Sequence, residues 1–237
     1  MSPIQQMLLS TGGVAPPSGY GSVSFNGSND YLSIADNNAW DIGGGAFTVE
    51  CFARFDSHGG WDILVHNITD SGWSGGAWAF EFVSTRFDCY WYNTSNQLVH
   101  ADSGLNTSTG SWHHFAWCCN SSGDHSFFKN GTRVATSGAG VIRGNSTNEL
   151  SIGGRGAGAY FDGKISNLRI VKGQNLYNSS YYTVPTSPLT KTSQGATASN
   201  VVLLCCNDPG DATNATVTPS SISAHGSTTS GDSDHPF

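Results

Sequence analysis

Residues 47–55 hold a period-two alternation for nine positions. Phe47, Val49, Cys51, Ala53 and Phe55 fall on one face, and Thr48, Glu50, Phe52 and Arg54 on the other. Successive side chains of a strand point to opposite faces, so this pattern specifies a strand laid against a core. The alternation recurs at Val23 and Phe25, and at Leu32 and Ile34. It returns at Trp78, Phe80 and Phe82, at Phe87, Cys89 and Trp91, and at Phe115, Trp117 and Cys119. No segment carries a convincing 3.6-residue period. Asn130-Gly131, between His125–Lys129 and Thr132–Ala135, is a hairpin signal, because a type I′ turn needs two positive φ values. Val201–Cys206 is apolar on both faces, which predicts a central or covered strand.

Composition points the same way. Of 237 residues only 11% are charged, and Gly contributes 30. Solvated helix faces are built from straight-chain charged residues, and here Glu is confined to Glu50, Glu81 and Glu149. A helical bundle, a coiled coil and a large α/β enzyme are excluded. The predicted fold is all-β, an antiparallel two-sheet sandwich over residues 22–206, a size single β domains reach. Two extended arms flank it. Residues 1–21 place Ile4, Met7, Leu8 and Leu9 on a Gly/Pro tether, a peptide suited to docking on a neighbouring subunit. Residues 207–237 are Asp/Ser/Thr/Gly-rich with no core of their own, so their order is expected to come from an assembly.

The net charge is −7, and ten basic residues are spread thinly. Neither nucleic acid nor an anionic membrane surface is an expected partner. No apolar run approaches the roughly 18 residues of a membrane span. Met1–Leu9 lacks a basic region and a long apolar stretch, so no signal peptide is expected. Cys51, Cys89, Cys118, Cys119, Cys205 and Cys206 include no C-x-x-C, which argues against zinc. Adjacent cysteines in a strand face opposite ways, so free core thiols are expected.

Particular segments carry a family resemblance. Phe25-Asn26-Gly27-Ser28-Asn29-Asp30-Tyr31-Leu32 and Phe47-Thr48-Val49-Glu50 resemble the opening strands of laminin-G-like, concanavalin A-like jelly rolls. Trp112-His113-His114-Phe115-Ala116, ahead of Lys129-Asn130-Gly131, resembles their central signature. Phe161-Asp162-Gly163-Lys164-Ile165 through Ile170 resembles their late strand. The match spans about residues 22–190, in family order. Ile165–Gly173, Leu176-Tyr177, the Pro185 and Pro188 stretch and Leu203-Leu204-Cys205 further resemble the version found in tailed-phage virion proteins, notably marine and cyanobacterial phages.

That resemblance implies functions the residues can be tested against. Glucanases share the fold, and glycoside hydrolysis uses two carboxylates roughly 5–9.5 Å apart. No strand here carries paired acids: Glu50 is followed by Phe52 and Arg54, Glu81 by Val83, and Glu149 by Ser151. The chain is therefore expected not to be an enzyme. Relatives hold structural calcium, for which Asp30 and Asp162 are the matching oxygen ligands. The alternative is Asx-turn hydrogen bonding by the same side chains, and Ser166 and Asn167 stand where the family often has acids. Sugar binding is the usual non-catalytic use of the fold. Trp61, Trp73 and Tyr160, in Gly-rich loops, are the candidate stacking platforms, whereas Trp78, Trp91 and Trp117 read as core. His113 and His114 face opposite ways, so at most one joins the core. Arg169 reads as a structural donor.

The expectation is a non-enzymatic protein of the phage particle surface, made in the host cytoplasm, as head decoration or tail appendage. Its expected partners are other virion proteins, further copies of itself and a host-surface glycan. A soluble carbohydrate-binding module is the alternative, with a glycoside hydrolase behind it.

Overall fold

Each alternating segment forms a strand. The computed structural model describes residues 20–68, 78–144, 147–155 and 159–237. In chain order the strands begin with β1 (Ser22–Asn26), β2 (Tyr31–Ile34), β3 (Phe47–Phe55), β4 (Trp61–His66), β5 (Trp78–Val83) and β6 (Arg86–Tyr92). Next come β7 (Leu98–Asn106), β8 (Trp112–Cys119), β9 (His125–Lys129), β10 (Thr132–Ser137), β11 (Leu150–Ile152) and β12 (Gly154–Arg155). The remainder are β13 (Ala159–Tyr160), β14 (Asp162–Lys172), β15 (Val201–Cys205), β16 (Ala215–Val217), β17 (Ile222–His225) and β18 (Thr229–Gly231).

The larger sheet runs β10-β9-β8-β3-β14-β1-β18, with β15 also on β14 and β16 on β15. The smaller runs β17-β2-β11-β4-β5-β6-β7, and β12 and β13 form a short ribbon. The pairings are antiparallel, as the predicted jelly-roll sandwich requires. Asn130 and Gly131 take φ of 49° and 77° at the β9–β10 turn, the two positive values that hairpin needs. A Cβ at Gly131 would also meet the Tyr182 carbonyl oxygen at 2.3 Å, so only glycine fits.

The core lies between the inner faces. Phe47, Val49, Cys51 and Phe55 of β3 oppose Trp78, Phe80 and Phe82 of β5 in one buried cluster. Trp117 is its hub, 5.1 Å from the Phe47 ring and 5.5 Å from Trp91. Trp78, Trp91 and Trp117 are all fully buried, as the alternation predicts.

The outer face of the larger sheet is also covered. The strap of residues 174–200 crosses it, laying Leu189 and Ala196 against Phe52 and Leu204, and Tyr177 against Cys118 and Phe128. Thr48 and Glu50, on the polar side of the alternation, are therefore fully buried. Arg169 donates from Nε and Nη2 to Glu50 Oε1 at 2.8 and 2.5 Å, and Tyr177 donates its hydroxyl to Oε2 at 2.7 Å. Arg169 Nη1 reaches back to the Thr190 carbonyl at 2.6 Å, tying strap to sheet. Of the two histidines, His114 is buried, 3.2 Å from Glu50 Oε2, and His113 is not.

Two expectations change. Cys118 and Cys119 do face opposite ways. Cys205 and Cys206, however, both turn into the main core, with sulfurs 3.8 Å apart. The chain leaves β15 at Cys206 with φ of 57°, which breaks the alternation. The C-terminal segment 207–237, expected to need neighbours, is held by its own domain. β16 pairs with β15, β17 with β2 and β18 with β1. Pairing to an edge uses backbone hydrogen bonds and needs no apolar side chains. Asp234 then accepts from Arg54 Nη1 at 2.5 Å, Trp112 Nε1 at 2.8 Å and Lys164 Nζ at 3.0 Å. Phe237 packs 4.9 Å from Phe52. The N-terminal docking peptide of Ile4, Met7, Leu8 and Leu9 lies outside the described residues.

Candidate functional site

The outer face of the smaller sheet carries Trp61, one of the three predicted aromatic residues, on β4 and not in the expected Gly-rich loop, in a row with charged groups. Register defines its rows. Trp61 on β4 opposes Val83 on β5, which opposes Arg86 on β6. In the next row Ile63 opposes Glu81, and Glu81 opposes Asp88. In the third, His66 opposes Ala79, and Ala79 opposes Tyr90.

Trp61 is 51% exposed, unusual for so large an apolar side chain. Its neighbour Asp62 explains the placement. Asp62 is fully buried, accepting from the Gly59 N–H at 2.9 Å through Oδ1 and lying 2.9 Å from His58 Nδ1 through Oδ2. His58 Nε2 in turn lies 2.9 Å from the Thr107 carbonyl. Both ring nitrogens of His58 are thus held against oxygen atoms, which fixes the imidazole beside Asp62. Burial pushes the Asp62 carboxyl above its usual range, against the pull of Gly59 and His58. With Asp62 anchored inward, strand alternation turns the Trp61 indole outward.

Tyr160, half-buried on β13, lies 6.4 Å from the Tyr31 ring. Tyr31 stacks at 4.0 Å on His225 of the C-terminal β17, and His225 Nε2 meets Ser33 Oγ at 2.9 Å. Tyr160 thus stands at one end of an aromatic row across the sheet edge. Trp73 lies outside the described residues.

Glu81 and Asp88 are an acid pair that reading along single strands misses. The β5–β6 hairpin closes at Val83 and Arg86 around Ser84-Thr85, so Glu81 and Asp88 must be opposite one another. Directly opposed residues place their Cβ atoms about 4.5–5.5 Å apart. Summing hairpin positions would have found this pair. Their exposures are 2% and 1%, so neither carboxyl meets solvent.

The predicted calcium ligands are each engaged separately. Asp30 Oδ1 accepts from Ser227 N at 2.6 Å and Ser227 Oγ at 3.1 Å. Asp162 Oδ2 accepts from Ser57 Oγ at 2.5 Å. The Asx turn belongs to Asn26, whose Oδ1 accepts from the N–H groups of Ser28 and Asn29 at 2.9 and 3.1 Å. Among the described residues, no group of three or more His, Cys, Asp or Glu is placed to hold a metal.

A Bacteroides ovatus protein provisionally described as carbohydrate-binding is similar in structure, with a TM-score of 0.62 at 16% identity. The likeness covers 94% of this chain and 62% of that one, so this chain spans under two thirds of that protein's length. The SAP-like pentraxin of Limulus polyphemus is similar at a TM-score of 0.51 and 14% identity, over 89% of this chain and 94% of that one. At such identities these likenesses show the fold. No curated protein sequence matches this chain. The laminin-G family model of the concanavalin A-like lectin/glucanases superfamily matches residues 26–174, from the end of β1 to just past β14. With more than half its length inside that match, the chain belongs to the concanavalin A-like lectin/glucanases superfamily, as a laminin-G-like jelly roll.

Proposed function

We propose that this protein is a non-catalytic carbohydrate-binding jelly roll, carried on the surface of a tailed-phage particle. The half-exposed Trp61 indole carries the binding reading. An aromatic face stacks on the apolar face of a sugar ring, an interaction that needs no charge on either partner. The provisional description of the Bacteroides protein agrees with it. The burial of Glu81 and Asp88 supports the non-catalytic reading, since a glycosidic oxygen has to reach its general acid.

Trp61→Ala is expected to weaken binding to host cell-envelope polysaccharide about tenfold or more, while leaving the melting temperature nearly unchanged. Trp117→Ala, in the core, is expected to cost about 3–5 kcal/mol of stability instead. Unchanged glycan binding by Trp61→Ala overturns the platform. The particle placement rests on the resemblance of Ile165–Gly173 and Leu203–Cys205 to phage virion proteins. A mass-spectrometric inventory of purified particles tests it. Many copies per particle indicate head decoration, few an appendage, and absence from the particle refutes the placement.

A further inference from the structure

A cavity of about 680 Å³ opens on the larger sheet, away from Trp61. Three walls form it, and each is fixed by hydrogen bonds. The first is the β8–β9 turn. Asn120 Oδ1 accepts from the N–H groups of Ser122 and Asp124, both at 2.9 Å, and its Nδ2 donates to Asp124 Oδ2 at 2.8 Å.

The second wall is β10. Arg133 opposes Phe128 and Thr136 opposes Ser126, with a register shift between Arg133 and Ala135. Phe128 and Ser126 share a face of β9, so the extra residue brings Arg133 and Thr136 to one face despite their odd spacing. The strap is the third wall. Its Tyr177 is drawn into the sheet by Glu50, and Leu176 N donates to Thr48 Oγ1 at 3.0 Å. Asn175 and Asn178, on either side, line the cavity. Arg133 Nη2 donates to Ser180 Oγ at 3.0 Å and joins the last two walls.

The lining chemistry limits what can bind. Arg133 and Asp124 offset one another in charge. The His125 ring is occupied, accepting from Trp117 Nε1 at 3.0 Å and lying 2.8 Å from the Gly140 carbonyl. Apart from that ring and the Arg133 and Asp124 charges, the lining side chains are amides, hydroxyls and the small Ala46, with no aromatic platform. Asn175 Oδ1 is buried with no hydrogen-bond partner. The volume falls within the roughly 300–1,000 Å³ range of small-ligand sites.

We infer that this cavity binds a neutral, polyhydroxylated ligand, a sugar unit of mono- or disaccharide size, through hydrogen bonds alone and separately from Trp61. The inference rests on the carbohydrate-binding reading and adds a second site to it. The test is an NMR titration with maltose, cellobiose and lactose, with glucuronate as a charged comparator. The proteins are the wild type, Trp61→Ala, and a double variant with Thr136→Ala and Asn178→Ala, both exposed positions.

A neutral disaccharide is expected to shift the Asn175 side-chain amide saturably, and Trp61→Ala to leave that response intact. The double variant is expected to weaken it about tenfold or more at an unchanged melting temperature. Shifts confined to the Trp61 indole overturn the cavity site and leave the binding reading standing. Silence at both places overturns both. A response to glucuronate alone refutes the ligand class.

Discussion

Glu50 is a fully buried carboxylate. Burial pushes its carboxyl up, yet Arg169 first, then His114 and Tyr177, outweigh that and hold it at about 2, below its usual 4.5. A depressed carboxyl contributes stability that is fully present above the unfolded value and is lost as pH falls through the folded one. The window here runs from about 4.5 down to about 2, and the contribution at neutral pH is about 3 kcal/mol. His125 acts at higher pH. Burial holds its ring at about 4 against a usual 6.5, so its share of stability is lost between about 6.5 and about 4. Glu50→Gln is expected to lower stability at pH 7 by about 3–5 kcal/mol, because Arg169 is left buried and unneutralised. It should also flatten the loss below about pH 4.5 while leaving the His125 window unchanged. Urea unfolding of both proteins at pH 7, 5 and 3 measures this, and an unaltered acid slope refutes it. Arg169 as a structural donor was legible from the sequence. Its partnership with Glu50 was not, because the two lie 119 positions apart and meet only through β3–β14 register.

At the scale of elements, the alternating strands were legible because one face of each meets a single core and the period is short. The strap was not. Its anchors Tyr177, Leu189 and Ala196 follow no period, and extended chain on a sheet face has no repeat to detect. The Glu81–Asp88 pair lay between these cases, since it follows from hairpin arithmetic once Ser84-Thr85 is read as the turn. The strap is expected to be a separately releasable element. Tyr177→Ala removes the hydroxyl bond to Glu50 and the 3.6 Å ring stack on Tyr182. The amides of Leu176 and Leu189, held by Thr48 Oγ1 and Asn167 Oδ1, should then exchange much faster with deuterium. Those of β4, β5 and β6, in the other sheet, should keep their protection. Uniform loss across both sheets would show that strap and sandwich unfold as one unit.

At the scale of the whole molecule, the sandwich and its family were legible, whereas Trp61 and Tyr160, expected in Gly-rich loops, stand on β4 and β13. Where the C-terminal segment goes was not legible. Its composition reads as disorder, and edge pairing leaves almost no trace in side-chain pattern. β17 and β18 occupy the free edges of β2 and β1, one in each sheet. An uncovered strand edge is a template for another chain, so these polar strands do more than hold the tail in place. A chain ending after Val217 is expected to keep its core but to self-associate with rising concentration, which analytical ultracentrifugation reads directly. A strictly monomeric truncation would refute this. The least core-like stretch of the sequence thus supplies short polar strands where the edges of β2 and β1 would otherwise lie open.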